Sequence, residues 1–162
     1  MAGRKRKYTQ DTHKYIAIDY DGTIVDEGAF PEVGEFKTLA IVTIKRMIAE
    51  GYKVGIWTAR GGAEQKELVM GALKEQGVDT SQVLFNEHFE YFLNKYESRS
   101  PKIYGDIYID DRAYGVKKID WLSIHLDFFG NFNKEALDEL TETALPKISK
   151  LAYKLNDLLT KA

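Results

Sequence analysis

Apolar and polar positions alternate along the chain in two rhythms, and the rhythms take turns. Tyr15-Ile16-Ala17-Ile18 is a short apolar run of strand length that stops at Asp19-Tyr20-Asp21-Gly22, where the Asp-Gly step marks a turn. A loop with Pro31 and Gly34 follows. From Phe36 to Glu50, the residues Leu39, Val42, Ile44, Met47 and Ile48 fall near helical spacing, with Gly51 just beyond as a stop signal. Val54-Gly55-Ile56-Trp57 predicts a second strand ending at Thr58, and Gly62 to Gln76 a second helix closed by Gly77. Val83-Leu84-Phe85 and Asp106 to Asp110 predict a third and a fourth strand. Phe89, Phe92 and Tyr96 recur on one helical stripe, read as core packing, with a platform for stacking a base or sugar as the alternative. Strands separated by helical stretches predict an α/β fold with right-handed crossovers and a mostly parallel sheet.

The C-terminal part changes pattern. Leu137, Leu140, Ala144, Ile148, Leu151, Leu155 and Leu158 recur at steps of three or four, a near-heptad seam interrupted by Pro146, which predicts a kink or two helices. Two readings stand: a helix packed on its own domain, or a seam that makes an oligomer contact or a lid. The chain thus divides into a basic arm (1–14), a core (15–130) and a helical extension (131–162).

Composition narrows the class. The 162 residues suit a single domain with a real core, and 44% apolar with 30% charged content excludes a disordered or low-complexity chain. With no cysteine, the sequence has no disulfide framework, thiolate zinc site or cysteine nucleophile. No apolar run reaches the ~18 residues a membrane span needs, and the polar stretch from Tyr8 to Lys14 gives no signal-peptide core. The expectation is a cytoplasmic protein without a membrane partner. The net charge is −2 although Arg4-Lys5-Arg6-Lys7 concentrates four cations, so the rest is markedly acidic and a poor general polyanion binder. The arm reads as solvated, with a nucleic-acid contact as the lesser alternative.

The chemistry concentrates where strands end. The first strand delivers Asp19 and Asp21, the second Thr58 and then Arg60, the fourth Asp110 and Asp111 followed by Arg112. Open α/β sheets bind ligands beyond these carboxyl ends. Carboxylates gathered there repel one another, and a hard divalent cation removes the penalty; Mg²⁺ typically combines one or two carboxylates with substrate phosphate and water. The pattern predicts a metal site, and the metal an oxyanion ligand. His13, His88 and His125 are too scattered for zinc, and the dinucleotide, P-loop and serine-hydrolase motifs are missing.

Asp19-Tyr20-Asp21-Gly22-Thr23 after an apolar strand resembles the first motif of the haloacid dehalogenase superfamily of phosphohydrolases. Ile56-Trp57-Thr58 resembles its second motif, Lys102 stands in a place suited to the third, and Tyr108-Ile109-Asp110-Asp111 resembles the fourth. The order is right from Tyr15 to about Ala113, and the Asp110 to Ala113 ending resembles that of a small capless subgroup. The resemblance implies a Rossmann-like three-layer sandwich and an Mg²⁺-dependent phosphatase acting on a phosphomonoester. It implies Asp19 as the nucleophile that forms an aspartyl-phosphate, and Asp21 as the acid to the leaving oxygen and then the base for water. Thr58 and Lys102 would hold the phosphoryl oxygens, with Lys95 as a rival to Lys102. The implied metal set is Asp19, Asp110, Asp111 and Asp21, the last through its backbone carbonyl.

Each assignment has a plainer alternative. Asp21-Gly22 could be a structural turn, Thr58 or Asp111 a helix cap, and Arg60 and Arg112 surface charges rather than substrate contacts. No stretch between the motifs is long enough for a cap domain, which predicts an open site. Two other functional classes remain: a phospho-acceptor signalling domain of receiver type, and a catalytically silent binding module on the same fold. The substrate itself is not named by the residues.

Overall fold

The computed structural model describes residues 5–96 and 100–160, with side chains described up to residue 147. Strands β1 (Tyr15–Ile18), β2 (Lys53–Ile56), β3 (Val83–Phe85) and β4 (Ile107–Ile109) form one sheet, parallel throughout, in the order β3-β2-β1-β4. Around it lie α1 (Thr38–Ala49), α2 (Gly62–Glu75), α3 (Glu90–Tyr96), α4 (Trp121–Phe129) and α5 (Lys134–Thr160). The architecture is the expected Rossmann-like sandwich, and α1 and α2 stop at the predicted Gly51 and Gly77.

Register makes the two faces of the sheet unequal. Ile16 pairs with Val54 and Ile107, and Val54 with Val83; two residues on, Ile18 pairs with Ile56 and Ile109, and Ile56 with Phe85. Because side chains alternate along a strand, these rows form one continuous apolar face. Ile41, Ile44 and Met47 from α1, Val69 and Leu73 from α2, and Trp121 and Phe128 from α4 share its core. Full burial of such side chains is worth ~1.5–3 kcal/mol each, which makes this face the main source of stability. The opposite row reads Tyr108, Ala17, Gly55, Leu84. Its small members let other chain approach: a Cβ on Gly55 would meet the Phe89 ring at 3.1 Å, and one on Gly105 the Ala17 Cβ at 3.2 Å. Phe89 and Phe92 are buried here, as the stripe predicts, whereas Tyr96 is exposed.

Helix α4 is not anticipated by the hydrophobic pattern, although its ends are signalled. The Asp120 side chain accepts from Ser123 N at 3.1 Å, and Gly130 ends the helix in the left-handed region. The described part of the basic arm is docked rather than loose. Lys7 N and Tyr8 N donate to Asp127 O, the Tyr8 ring lies 5.1 Å from that of Phe128, and Arg6 pairs with Glu50. Arg4 lies outside the described residues.

Helix α5 runs through Pro146 as one element, so the two-helix alternative is not what forms. It meets α1 through buried Ala136 and the Lys45–Glu139 pair, and Lys147 reaches Glu35. That face is displaced from the predicted seam: Leu137 is 51% exposed and Ala144 is exposed as well. The seam side chains from Ile148 onward, Leu151, Leu155 and Leu158 among them, lie outside the described ones. No described helix is long and apolar enough to cross a membrane.

His125, fully buried, joins α4 to α1. Thr43 Oγ1 donates to Leu39 O at 2.6 Å, which leaves its lone pair for His125 Nδ1 at 3.0 Å, while Arg46 Nη1 lies 3.3 Å from Nε2. Burial first, and then the Arg46 charge, push the imidazole down to about 4 from its usual 6.5. Between those values the unfolded chain takes up a proton that the folded chain refuses, so stability is lost as pH falls through the window, by roughly 2 kcal/mol at pH 5 from this group. Urea midpoints at pH 7 and pH 5 test this, and the drop is expected to be smaller in His125→Gln than in the wild type.

Candidate active site

The strand order creates the crevice. The chain moves from β1 to β2 to β3 in one direction and then returns to β4 on the other side of β1. Loops leaving β1 and β4 therefore part, at the kind of switch point where α/β sheets take ligands. Asp19 N donates to Ile109 O at 2.9 Å, which extends the ladder by one residue and fixes Asp19 beside the end of β4. Asp19, Asp110 and Asp111 each offer a carboxylate oxygen, all within 4.8 Å of one another.

Thr23 ties this cluster together from below. Its buried hydroxyl lies 3.2 Å from Asp19 Oδ2 and 3.4 Å from Asp111 Oδ1, and it accepts from Asp111 N at 3.1 Å. One hydroxyl proton serves two carboxylates, so repulsion between them is only partly relieved. The Thr23 carbonyl accepts from the Trp121 indole at 2.8 Å, which anchors the turn to α4. Gly22 has φ +75°, and a Cβ there would overlap the Asp111 carboxylate. The Asp19 carboxyl is pushed up to about 6, first by burial and then by Asp110 and Asp111, against the pull of the Tyr20 N–H and the Thr23 hydroxyl. Half-buried, mutually repelling carboxylate oxygens are a donor set that fits a hard cation such as Mg²⁺.

Asp21 stands apart from this cluster. Both its oxygens accept from Arg60, Oδ2 from Nε and Oδ1 from Nη2, each at 2.7 Å. Arg60 is 2% exposed. Its Nη1 donates to Pro31 O at 2.9 Å and to Gln65 Oε1 at 2.8 Å, and its Nη2 to Glu32 O at 2.7 Å. A guanidinium has five N–H bonds, and all five are used. Arg60 is thus no surface charge; it lines the cleft with every N–H engaged and clamps Asp21 to the loop that follows β1.

The second-motif loop is braced from β3. Asn86, at φ 51°, accepts from Thr58 N at 2.9 Å and donates to Arg60 O at 2.8 Å. The Thr58 hydroxyl accepts from Arg60 N at 3.3 Å and lines the cleft. The bracing parts of Asn86, Thr23 and Gln65 are not legible in the hydrophobic pattern or in the motifs. Placement directly after a strand was the available signal for Asn86.

The cleft has a volume of about 850 Å³ and includes Asp19, Asp21, Thr58, Asp110 and Arg112 in its lining. Arg112 N donates to Asp110 Oδ1 at 2.8 Å, and its guanidinium pairs with Glu27. The two candidate lysines are elsewhere. Lys102 Nζ lies 4.9 Å from the Tyr108 ring centroid and lines a separate hollow with His88 and Phe92, while Lys95 Nζ rests beside Tyr91 and Tyr96. Lys102 precedes β4 whereas the acids follow it, so the strand separates them. His88 Nε2 lies 2.6 Å from Ser100 O and borders the same hollow as Lys102 rather than the acid-lined cleft.

Comparison with known protein families found none that matches, and no curated protein matches either. A solved structure is similar. It is that of a conserved protein from Bacteroides thetaiotaomicron, 29% identical, with a TM-score of 0.57 over 68% of this chain and 85% of that one.

Two measurements check the site's energetics. Without metal, the raised Asp19 group withdraws stability as pH rises from about 4 to 6, so Asp19→Asn is expected to raise the unfolding free energy at pH 7.5 by about 2 kcal/mol, read from urea denaturation. Arg60→Ala strands Asp21 and two loop carbonyls and is expected to cost about 3 kcal/mol. Arg60→Lys recovers little of this, since one ammonium cannot reproduce the fork.

Proposed function

We propose that the chain is a divalent-metal-dependent phosphatase of the haloacid dehalogenase type, which hydrolyses a phosphomonoester through an aspartyl-phosphate on Asp19. The observation that carries this reading is the convergence of the Asp19, Asp110 and Asp111 oxygens within 4.8 Å, beside a cleft with room for a substrate. Asp110 and Asp111 would hold Mg²⁺ together with Asp19. When bound, the ion would supply positive charge against the carboxylates and the phosphoryl oxygens.

Asp19 attacks phosphorus as the carboxylate, forming an O–P bond while the bond to the leaving oxygen breaks. Asp21 gives the leaving oxygen its proton, and takes one back from the water that then attacks the aspartyl-phosphate to release orthophosphate. One Arg60 bond to Asp21 must give way for that transfer. Thr58, and Arg112 once released from Glu27, are the groups in the cleft suited to the phosphoryl oxygens, a role for which the sequence offers Lys102. Asn86 bears on the receiver-type alternative: it occupies the end of β3, where a phospho-acceptor carboxylate would be needed, and its side chain is already committed to the 58–60 backbone.

Hydrolysis of p-nitrophenyl phosphate with and without Mg²⁺ tests the proposal. Expected are turnover that needs the metal, loss to background in Asp19→Asn, and a fall of about 10²–10⁴ in Asp21→Asn. Stoichiometric labelling without turnover, or no reaction with either protein, overturns it.

A further inference from the structure

We propose that Phe30 and Trp57 form a seat for a planar aromatic ring on the leaving group, so that the substrate class is an aromatic phosphomonoester, either a nucleoside monophosphate or an aryl phosphate. The inference rests on the phosphatase reading for where the phosphoryl group sits. That group fills a small part of an 850 Å³ cleft, and the remainder must receive what the phosphate is attached to.

The lining of the cleft also includes Gly28, Phe30, Trp57 and Ala59, none of them charged. Phe30 is 65% exposed, so its ring is open to the cleft it lines. Its exposure is not looseness. The carbonyls of the next two residues, Pro31 and Glu32, accept from the buried Arg60, and the guanidinium carbon lies 5.2 Å from the ring centroid. The ring is held against a cation whose N–H groups are all used, and it stays open along the cleft. The Trp57 backbone N–H donates to Ile18 O at 2.8 Å, so the sheet fixes its main chain at the cleft.

Chemistry selects the ligand. Gly28, Phe30, Ala59 and Trp57 offer at most one side-chain hydrogen-bonding group, the Trp57 indole N–H, so a hydroxylated chain placed against them gives up water with little replacement. A planar ring needs no such partners and gains by stacking on aromatic side chains. Phe30 and Trp57 distinguish this seat from the tyrosines near Lys95 and Lys102, which border a different hollow without the acids.

The test is calorimetry on the full chain carrying Asp19→Asn, in Mg²⁺ buffer, with adenosine monophosphate, phenyl phosphate and glycerol phosphate. Both aromatic esters are expected to bind roughly 10-fold or more tightly than glycerol phosphate, and the tighter of the two identifies a base or a directly attached ring as the natural source. In the same background Phe30→Ala is expected to collapse that ratio, while Phe30→Tyr keeps it. Equal affinities, no binding of any ester, or a ratio indifferent to Phe30→Ala overturns the seat. Ring preference without hydrolysis by the wild-type chain overturns the phosphatase reading and leaves the seat standing; hydrolysis without ring preference does the reverse.

Discussion

Adjacent pairing of β1 and β4 places three carboxylates at one edge of the sheet, and their mutual repulsion is a constraint that the turns around them must accommodate. No lysine or arginine among the described residues forms an ion pair with Asp19, Asp110 or Asp111. The cluster is held by Thr23, by the ladder bond from Asp19 N to Ile109 O and by the indole of Trp121 gripping the turn. Burial first, and then the neighbouring Asp110 and Asp111, raise the Asp19 carboxyl to about 6. The heavy apolar face under α1, α2 and α4 supplies the stability against which this cluster is held.

Arg60 organises the other half of the site on opposite principles. Where the acid cluster is under-neutralised, the guanidinium is saturated, and its partners come from β1's exit, the following loop and α2. The arginine that fixes Asp21 also fixes the backbone at Pro31 and Glu32, next to Phe30, which lines the same cleft.

Much of this could be read from the residues. Parallel strands, the stops at Gly51 and Gly77 and the acidic strand ends follow from periodicity and from turn chemistry. What escaped did so for physical reasons. Helix α4 has an almost wholly apolar helical face with bulky aromatics, and its Asp120 and Gly130 caps are weak signals in isolation. Arg60 is indistinguishable in sequence from a surface cation, because burial of a guanidinium depends on carbonyls from a distant loop. Lys102 lies near the acids along the chain but not in space, since β4 intervenes. The α5 seam shows that a heptad pattern does not say which face of a helix docks: Ala136, Glu139 and Lys147 meet the domain, and Leu137 does not.

Gly22 combines two restrictions that exclude different replacements. Its backbone lies in the left-handed region, a demand that asparagine tolerates better than most residues, yet the space a Cβ would need belongs to the Asp111 carboxylate. The Asp-Gly step is therefore more than a turn signal. Any side chain there, including one content with the backbone angle, would evict a member of the acidic group, so the smallest residue in the loop guards the assembly of its most highly charged part.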